Sequence, residues 1–243
     1  MNRKDKTVLI TGSTDGVGRL VARRLASQGA RLLIHGRDRH RGKQVVEQIQ
    51  AEGTGSAVFL PADFSSLAEV RRLAKAVRQT SNRLDVLINN AGIGSGGAAS
   101  KRETSQEGHE LRFAVNYLAG FLLTRLLLPL MMVSKPARIV NVFSLGQHPI
   151  DFDDVMLTRG YTGGRAYAQS KLAQIMFTFD LARELIQRQS RQTACIQRLT
   201  WQQQWCGRAG SLRSAPSTKE RKRSSTSRFR KNSMVIPANS TMD

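Results

Sequence analysis

Tyr167-Ala168-Gln169-Ser170-Lys171 sets a phenol and an ammonium four residues apart, and side chains at i and i+4 share one face of a helix. A tyrosine hydroxyl titrates at about 10 when nothing perturbs it. A cation beside it favours the tyrosinate and brings the group toward acid–base work at neutral pH. Alone, the spacing arises often by chance on any amphipathic helix. The elements that would position it decide its meaning.

Lys6-Thr7-Val8-Leu9-Ile10-Thr11 is a short β-branched run, with no charged leader and apolar stretch ahead of it, so no secretory signal is expected. It enters Gly12-Ser13-Thr14-Asp15-Gly16-Val17-Gly18 and then an apolar periodicity of helical spacing that stops at Gly29. Strand, glycine turn and helix let a pyrophosphate approach bare N–H groups at a positive helix end. The alternative is a tight βα turn that binds nothing.

The second strand, Arg31 to Gly36, ends where a dinucleotide-binding fold meets the adenosine ribose. A carboxylate there suits a free 2′-hydroxyl and a cation a 2′-phosphate. Arg37, with Arg39 or Arg41, argues for NADP(H) over NAD(H), while Asp38 keeps NAD(H) open. These arginines could equally be the solvated start of the helix Arg39 to Glu52. His35 and His40 read as a strand-end and a surface histidine, and no Cys/His/carboxylate spacing suggests a metal.

A third unit follows, Ser56 to Leu60, then Asp63-Phe64-Ser65-Ser66, with Ser65 or Ser66 as cap for a helix over Leu67 to Val77. Leu84 to Ile88 then leads into Asn89-Asn90-Ala91-Gly92. Strands alternating with helices predict an α/β fold, a doubly wound parallel sheet in three α/β/α layers, with ligands outside the carboxyl ends of the strands. Asp63 and Asn90 fall at such ends.

Thr11-Gly12-x-x-x-Gly16-x-Gly18, Asp63, Asn89-Asn90-Ala91-Gly92, Asn116, Ser144 and Tyr167-x-x-x-Lys171, in this order, resemble the short-chain dehydrogenases/reductases. The resemblance implies a Rossmann-like fold and a carbonyl or alcohol substrate. It implies that Gly12, Ser13, Thr14, Gly16, Val17 and Gly18 line the cofactor phosphates and that Asp63 and Phe64 meet the adenine. Asn90, Ala91 and Gly92 would pack by the ribose. Tyr167 would be the acid/base, and Lys171 would hold the nicotinamide ribose and favour the tyrosinate. Ser144 would bind the substrate oxygen and Asn116 would keep a water-linked proton relay. Without the family, Asn116 is as readily a structural hydrogen-bonding residue.

Glu110 to Val133 reads as a long helix interrupted by Pro129. Its run Phe121 to Leu128 is too short and too charged to cross a bilayer, so no membrane span is expected. The family resemblance implies that such a helix pairs subunits, as a homodimer or homotetramer. Ala137 to Ser144 is the next strand, with Phe143 where family members usually carry another small hydroxyl residue. The long segment Gln147 to Gly164, with Asp151-Phe152-Asp153-Asp154 and Arg159-Gly160-Tyr161, resembles the retinol-dehydrogenase-like and WW-domain-oxidoreductase-like branch. A loop of this length near a site is often a lid or substrate wall.

The composition changes after Leu185. Residues 187–243 carry twelve Lys/Arg against two acids, about half of the chain's net +20, and apolar periodicity disappears into Gln-, Ser- and Arg-rich text. The reading is therefore a dinucleotide-binding domain over 1–186 and a basic tail of low order over 187–243 that replaces the expected last strands. One hypothesis is a shifted reading frame. Codons for Cys195 to Trp201 reread one base earlier give LHPATYM, and the continuation resembles the family's His-Pro segment, substrate-loop helix and last strand. Sequencing the coding DNA across Glu184 to Ala194 tests this; an intact frame in independent clones would sink it. The alternative function is thus an inactive product that at most binds nucleotide or polyanions. The two cysteines, Cys195 and Cys206, both lie in this segment and support neither a disulfide framework nor a metal site. A cytoplasmic protein without a specific nucleic-acid partner is the simplest expectation.

Overall fold

The computed structural model describes residues 6–191 apart from 98, 99 and 135. The expectations for the basic tail fall outside the described residues, except that 187–191 continue the last helix. Five strands, β1 (Thr7–Ile10), β2 (Arg31–Gly36), β3 (Ser56–Pro61), β4 (Val86–Asn89) and β5 (Arg138–Asn141), form one parallel sheet in the order β3-β2-β1-β4-β5. All four residues of β1 are buried. A central parallel strand is covered on both faces, which is why it reads as an unbroken apolar run.

Alternation along the strands divides the core. Leu9, Leu33 and Leu87 pack with α3 (Leu67–Thr80), α5 (Ala119–Val133) and α6 (Gly163–Arg191). Val8, Ile10, Leu32 and Ile34 pack on the opposite face with Ala22 and Ala26 of α1 (Gly16–Ala26) and Val45 and Ile49 of α2 (Arg39–Glu52). Ile10 lies opposite both Ile34 and Ile88, so the carboxyl ends of β1, β2 and β4 share one level. The strand order reverses between β1 and β4, and the crevice above that reversal is where such sheets bind ligands.

Helix starts are set by carboxylates. Asp15 accepts from Gly16 N to begin α1, and Asp38 accepts from His40 N and Arg41 N to begin α2. At α3, Ser66 takes the cap position but its side chain makes no capping bond. Instead Glu107, forty residues away, accepts from Leu67 N at 2.7 Å, a cap that no local pattern shows.

The helix expected over Glu110 to Val133 begins one residue later and has three parts: α4 (Leu111–Phe113), a π-helical stretch Ala114–Leu118, and α5. Glu110 caps it through Phe113 N. Pro129 does not interrupt it, because Pro129 is exposed and water can serve the carbonyl that loses its donor. The continuous helix Leu111–Val133 has 23 residues and is long and apolar enough to cross a membrane by length and composition, which corrects the shorter run taken from sequence. Its Leu123, Leu127 and Met131 are core residues.

Asp85, just before β4, ties the amino end of the sheet together. Its Oδ1 pairs with Lys6 Nζ at 2.9 Å and Arg83 Nη2 at 2.6 Å, and Oδ2 accepts from Thr7 N at 2.9 Å. Burial pushes this carboxyl upward, but Arg83, Lys6 and the Thr7 N–H together hold it below its ordinary 3.8. A carboxylate depressed on folding stabilises above its unfolded pKa, and that contribution is lost as pH falls through the folded value. Asp85→Asn should therefore cost about 2 kcal/mol in urea unfolding at pH 7. The gap from wild type should shrink below pH 3.8; a gap that persists there would contradict the charge pairing.

Candidate active site

The turn after β1 is built on absent side chains. Gly12 has φ +64°, and a Cβ there would sit 2.8 Å from Ala91 Cα. A Cβ on Gly18 would lie 2.2 Å from Gly12 O and 2.5 Å from Asn90 Nδ2. Real side chains cannot occupy either space. Asn90 fastens the turn to the end of β4: its Nδ2 donates to Thr11 O at 2.9 Å and Gly12 O at 3.0 Å. Thr11 Oγ1 in return accepts from Asn90 N and Ala91 N, both at 3.0 Å.

Ser13 turns away from this opening. It is fully buried, its Oγ donates to Ile10 O at 2.7 Å and accepts from His35 N at 3.0 Å, so its side chain joins β1 to β2. His35 is also buried, and its Nδ1 accepts from Gly12 N at 3.1 Å. The ring stacks on Phe64 with centroids 4.3 Å apart. Burial pushes the imidazole down to about 4, against the opposing pull of the Ala62 backbone and Asp63. It therefore stands neutral with Nδ1 as acceptor.

A cleft of about 650 Å³ opens above the β1/β4 reversal. Gly12, Thr14, Gly16, Val17, Gly18, Arg37, Asp63, Phe64, Asn90, Ala91 and Gly92 all line it. His35, Ile93, Glu103, Thr104, Leu111 and Val115 are among the other lining residues, without having been named for this role from sequence. Glu103 and Thr104 come from a loop with no periodicity, and His35 carries the one signal that could have been used, a polar residue at a strand's carboxyl end. Asp63 is held by its own turn: Asp63 N donates to Glu69 Oε2 at 2.6 Å and its Oδ1 accepts from Ser65 N at 2.9 Å.

The structure also brings together Asn116, Lys171 and Tyr167. Asn116 is buried in the π-helical stretch, a distortion often found at functional positions. Its Oδ1 accepts from Ile93 N at 2.7 Å, and its Nδ2 donates to Ile93 O at 3.1 Å and to Ser170 Oγ at 3.0 Å. Lys171 Nζ donates to Val142 O at 3.2 Å and Gln174 Oε1 at 3.3 Å and lies 5.8 Å from the Tyr167 ring centre. A Cβ on Gly92 would be 3.2 Å from Asn116 Oδ1 and 3.6 Å from Lys171 Nζ, so both groups lie behind Gly92, which lines the cleft, whereas Asn116, Ser144, Tyr167 and Lys171 do not themselves line it. Burial lowers the Lys171 pKa from its ordinary 10.5. Ser144 Oγ accepts from Gly146 N at 3.2 Å, and among the described residues no hydrogen bond joins it to Tyr167.

The family model described as short chain dehydrogenase matches residues 6–197. The chain belongs to the short-chain dehydrogenase family. Human retinol dehydrogenase 14 is 40% identical over 196 residues, covering 74% of this chain and 57% of its own. Mouse polyprenol dehydrogenase is 39% identical over 187 residues, covering 74% and 55%. The chain thus spans a little over half the length of these curated relatives. Among solved structures, a metagenomic short-chain oxidoreductase in complex with NADP superposes with a TM-score of 0.64 at 32% identity, covering 78% of this chain and 80% of that one. A Burkholderia phymatum short-chain dehydrogenase/reductase in complex with NAD gives 0.62 at 28% identity, covering 77% and 63%. Both an NADP complex and an NAD complex occur among these solved relatives.

Two outcomes test the geometry of the turn. Gly18→Ala must displace Gly12 or Asn90, so the variant should lose nucleotide binding at least tenfold in a titration while still unfolding cooperatively. His35 binds its proton at pH 6.5 when unfolded and at about 4 when folded, so stability should be complete above 6.5 and fall as pH drops through that window. The loss is about 3 kcal/mol at its lower end. In thermal scans from pH 7 to 4, His35→Asn should flatten this slope; an unchanged slope would contradict a buried neutral imidazole.

Proposed function

We propose that the chain is an NADP(H)-dependent oxidoreductase that moves a hydride between nicotinamide and a carbonyl or alcohol. The observation that carries the cofactor preference is how Asp38 is used. Its Oδ1 accepts from His40 N at 2.9 Å and Arg41 N at 3.1 Å, and its Oδ2 lies 3.4 Å from Arg41 Nε. Arg41 also reaches Asp15 at 2.9 Å. The carboxylate that would suit a ribose 2′-hydroxyl is committed to its own helix, while exposed Arg37 lines the cleft. A guanidinium there matches a 2′-phosphate. The glycine cradle at Gly12 and Gly18 fits a pyrophosphate at the start of α1.

The cofactor, when bound, supplies or accepts the hydride. Tyr167 would hold the proton at its phenolic oxygen and hand it to the substrate oxygen, or take it back in the reverse direction. Lys171 sits beside that ring as the compensating cation. Ser144 Oγ accepts from Gly146 N, which leaves its own O–H to donate to the oxygen where charge develops. A donor so placed is worth roughly 3 kcal/mol. Asn116 fixes Ile93 and Ser170 and so holds the floor of the cleft against the helix that carries Tyr167 and Lys171. The long apolar helix turns Leu123, Leu127 and Met131 into the core, which supports a core helix over a membrane span.

Steady-state assays of NADPH-dependent reduction of retinaldehyde and of small aldehydes test this reading, retinaldehyde because relatives are named retinol dehydrogenases. Tyr167→Phe should lower kcat on the order of a hundredfold or more. Arg37→Ala should raise the KM for NADPH roughly ten- to a hundredfold, as loss of a charged hydrogen bond implies, with NADH little changed. Equal effects on both cofactors would contradict the assignment of Arg37.

A further inference from the structure

Arg112 is the most heavily bonded buried cation outside the groups already assigned. It lies in α4 and is 5% exposed. Its Nε donates to Gly94 O at 2.9 Å, Nη2 to Ser100 Oγ at 2.9 Å and Nη1 to Tyr161 Oη at 2.6 Å. Tyr161 Oη in turn donates to Glu110 Oε1 at 3.3 Å, and that carboxylate stands 3.8 Å from Arg112 Nη1. One guanidinium thus joins two loops far apart in sequence: the one after β4, which carries Gly94 and Ser100, and the one before α6, which carries Tyr161.

Both loops lead directly to the reacting groups. Gly94 follows Ile93, whose N and O are both held by Asn116. Tyr161 stands two residues before α6, the helix of Tyr167 and Lys171. Backbone geometry permits this closure. A Cβ on Gly163 would lie 1.9 Å from Ser95 O, and one on Gly96, at φ +74°, would lie 2.8 Å from Arg112 Nη2. The far end of the second loop is tied separately to α6, with Asp151 paired to Arg165 at 2.9 Å and Gln169 Nε2 donating to Val155 O at 2.7 Å. Tyr161 is where that loop is fastened to the opposite wall through Arg112.

We propose that Arg112 is a positioning residue that, through Tyr161, sets the distance between the two loops flanking the catalytic groups and so sets carbonyl-substrate affinity without touching nucleotide affinity. Arg112 lines no part of the cofactor cleft. Its three directed donors match a planar fork that lysine cannot reproduce. The proposal rests on the oxidoreductase reading for its kinetic consequence but not for its structural one.

The test uses the full-length chain and the variants Tyr161→Phe, Arg112→Gln and Arg112→Lys. Amide hydrogen exchange should quicken at least tenfold in both 93–96 and 155–162 in Tyr161→Phe, with β1 and α1 unchanged. KM for the carbonyl should rise about tenfold or more while kcat and the NADPH dissociation constant stay within about threefold. Arg112→Lys should fail to restore either, and the double variant Arg112→Gln/Tyr161→Phe should be no worse than the worse single one, as expected for groups acting as a unit. Faster exchange in one loop only, a fall in kcat at unchanged KM, or additive effects would overturn the proposal. If wild type binds neither NADPH nor NADH, the oxidoreductase reading fails, and the exchange result still decides for or against the clamp.

Discussion

The Asn90 amide, donating to the carbonyls of Thr11 and Gly12, is the contact on which the site depends. It spans the place where the strand order reverses and fixes the glycine turn to the end of β4. The reciprocal bonds from Asn90 N and Ala91 N to Thr11 Oγ1 satisfy Ala91 N and add to the bond that Asn90 N makes with Ile88 O. With that lock closed, a side chain on Gly12 or Gly18 has no room, and the cleft wall is bare backbone. Asn116 then repeats the device one step further along, pinning Ile93 to the helix that bears the Tyr/Lys pair.

Electrostatics follow from which charges are already committed. Asp38 and Arg41 are spent on the start of α2 and on Asp15, and Glu69 is bonded to Asp63 N and Arg72. Arg37 is left facing the cleft. Lys171 is buried and bonded to Val142 O and Gln174 Oε1, and burial lowers its own pKa. In the proposed reading one side chain lining the cleft, Arg37, and not the net positive charge of the chain, selects the cofactor.

Much of the frame was legible because it is local. β2 and α2 have the bounds read from the sequence, Arg31 to Gly36 and Arg39 to Glu52, and the glycine spacing located the turn. What was not legible depends on partners distant in sequence. Glu107 caps α3 across forty residues, and Asn89 donates to Thr124 and Asn141 while Asn141 donates to Thr178, a buried polar ladder across four elements. The π-helical stretch at Asn116 has no sequence signature, since it is stabilised by what Asn116 reaches rather than by propensity. Ser13 and Thr14 are equivalent by composition, yet one bonds inward to β2 and the other lines the cleft, and only the fold separates them. The loop from Ile93 to Glu110 shows no periodicity, so the anchoring of Arg112 was invisible.

The central claim, that this cleft takes NADP through Arg37, is tested most directly by isothermal titration of the full-length chain with NADPH and with NADH under the same conditions. The account predicts saturable binding of NADPH at least tenfold tighter than NADH, a difference of about 1.4 kcal/mol. Equal affinity for both, or no heat with either, would contradict it.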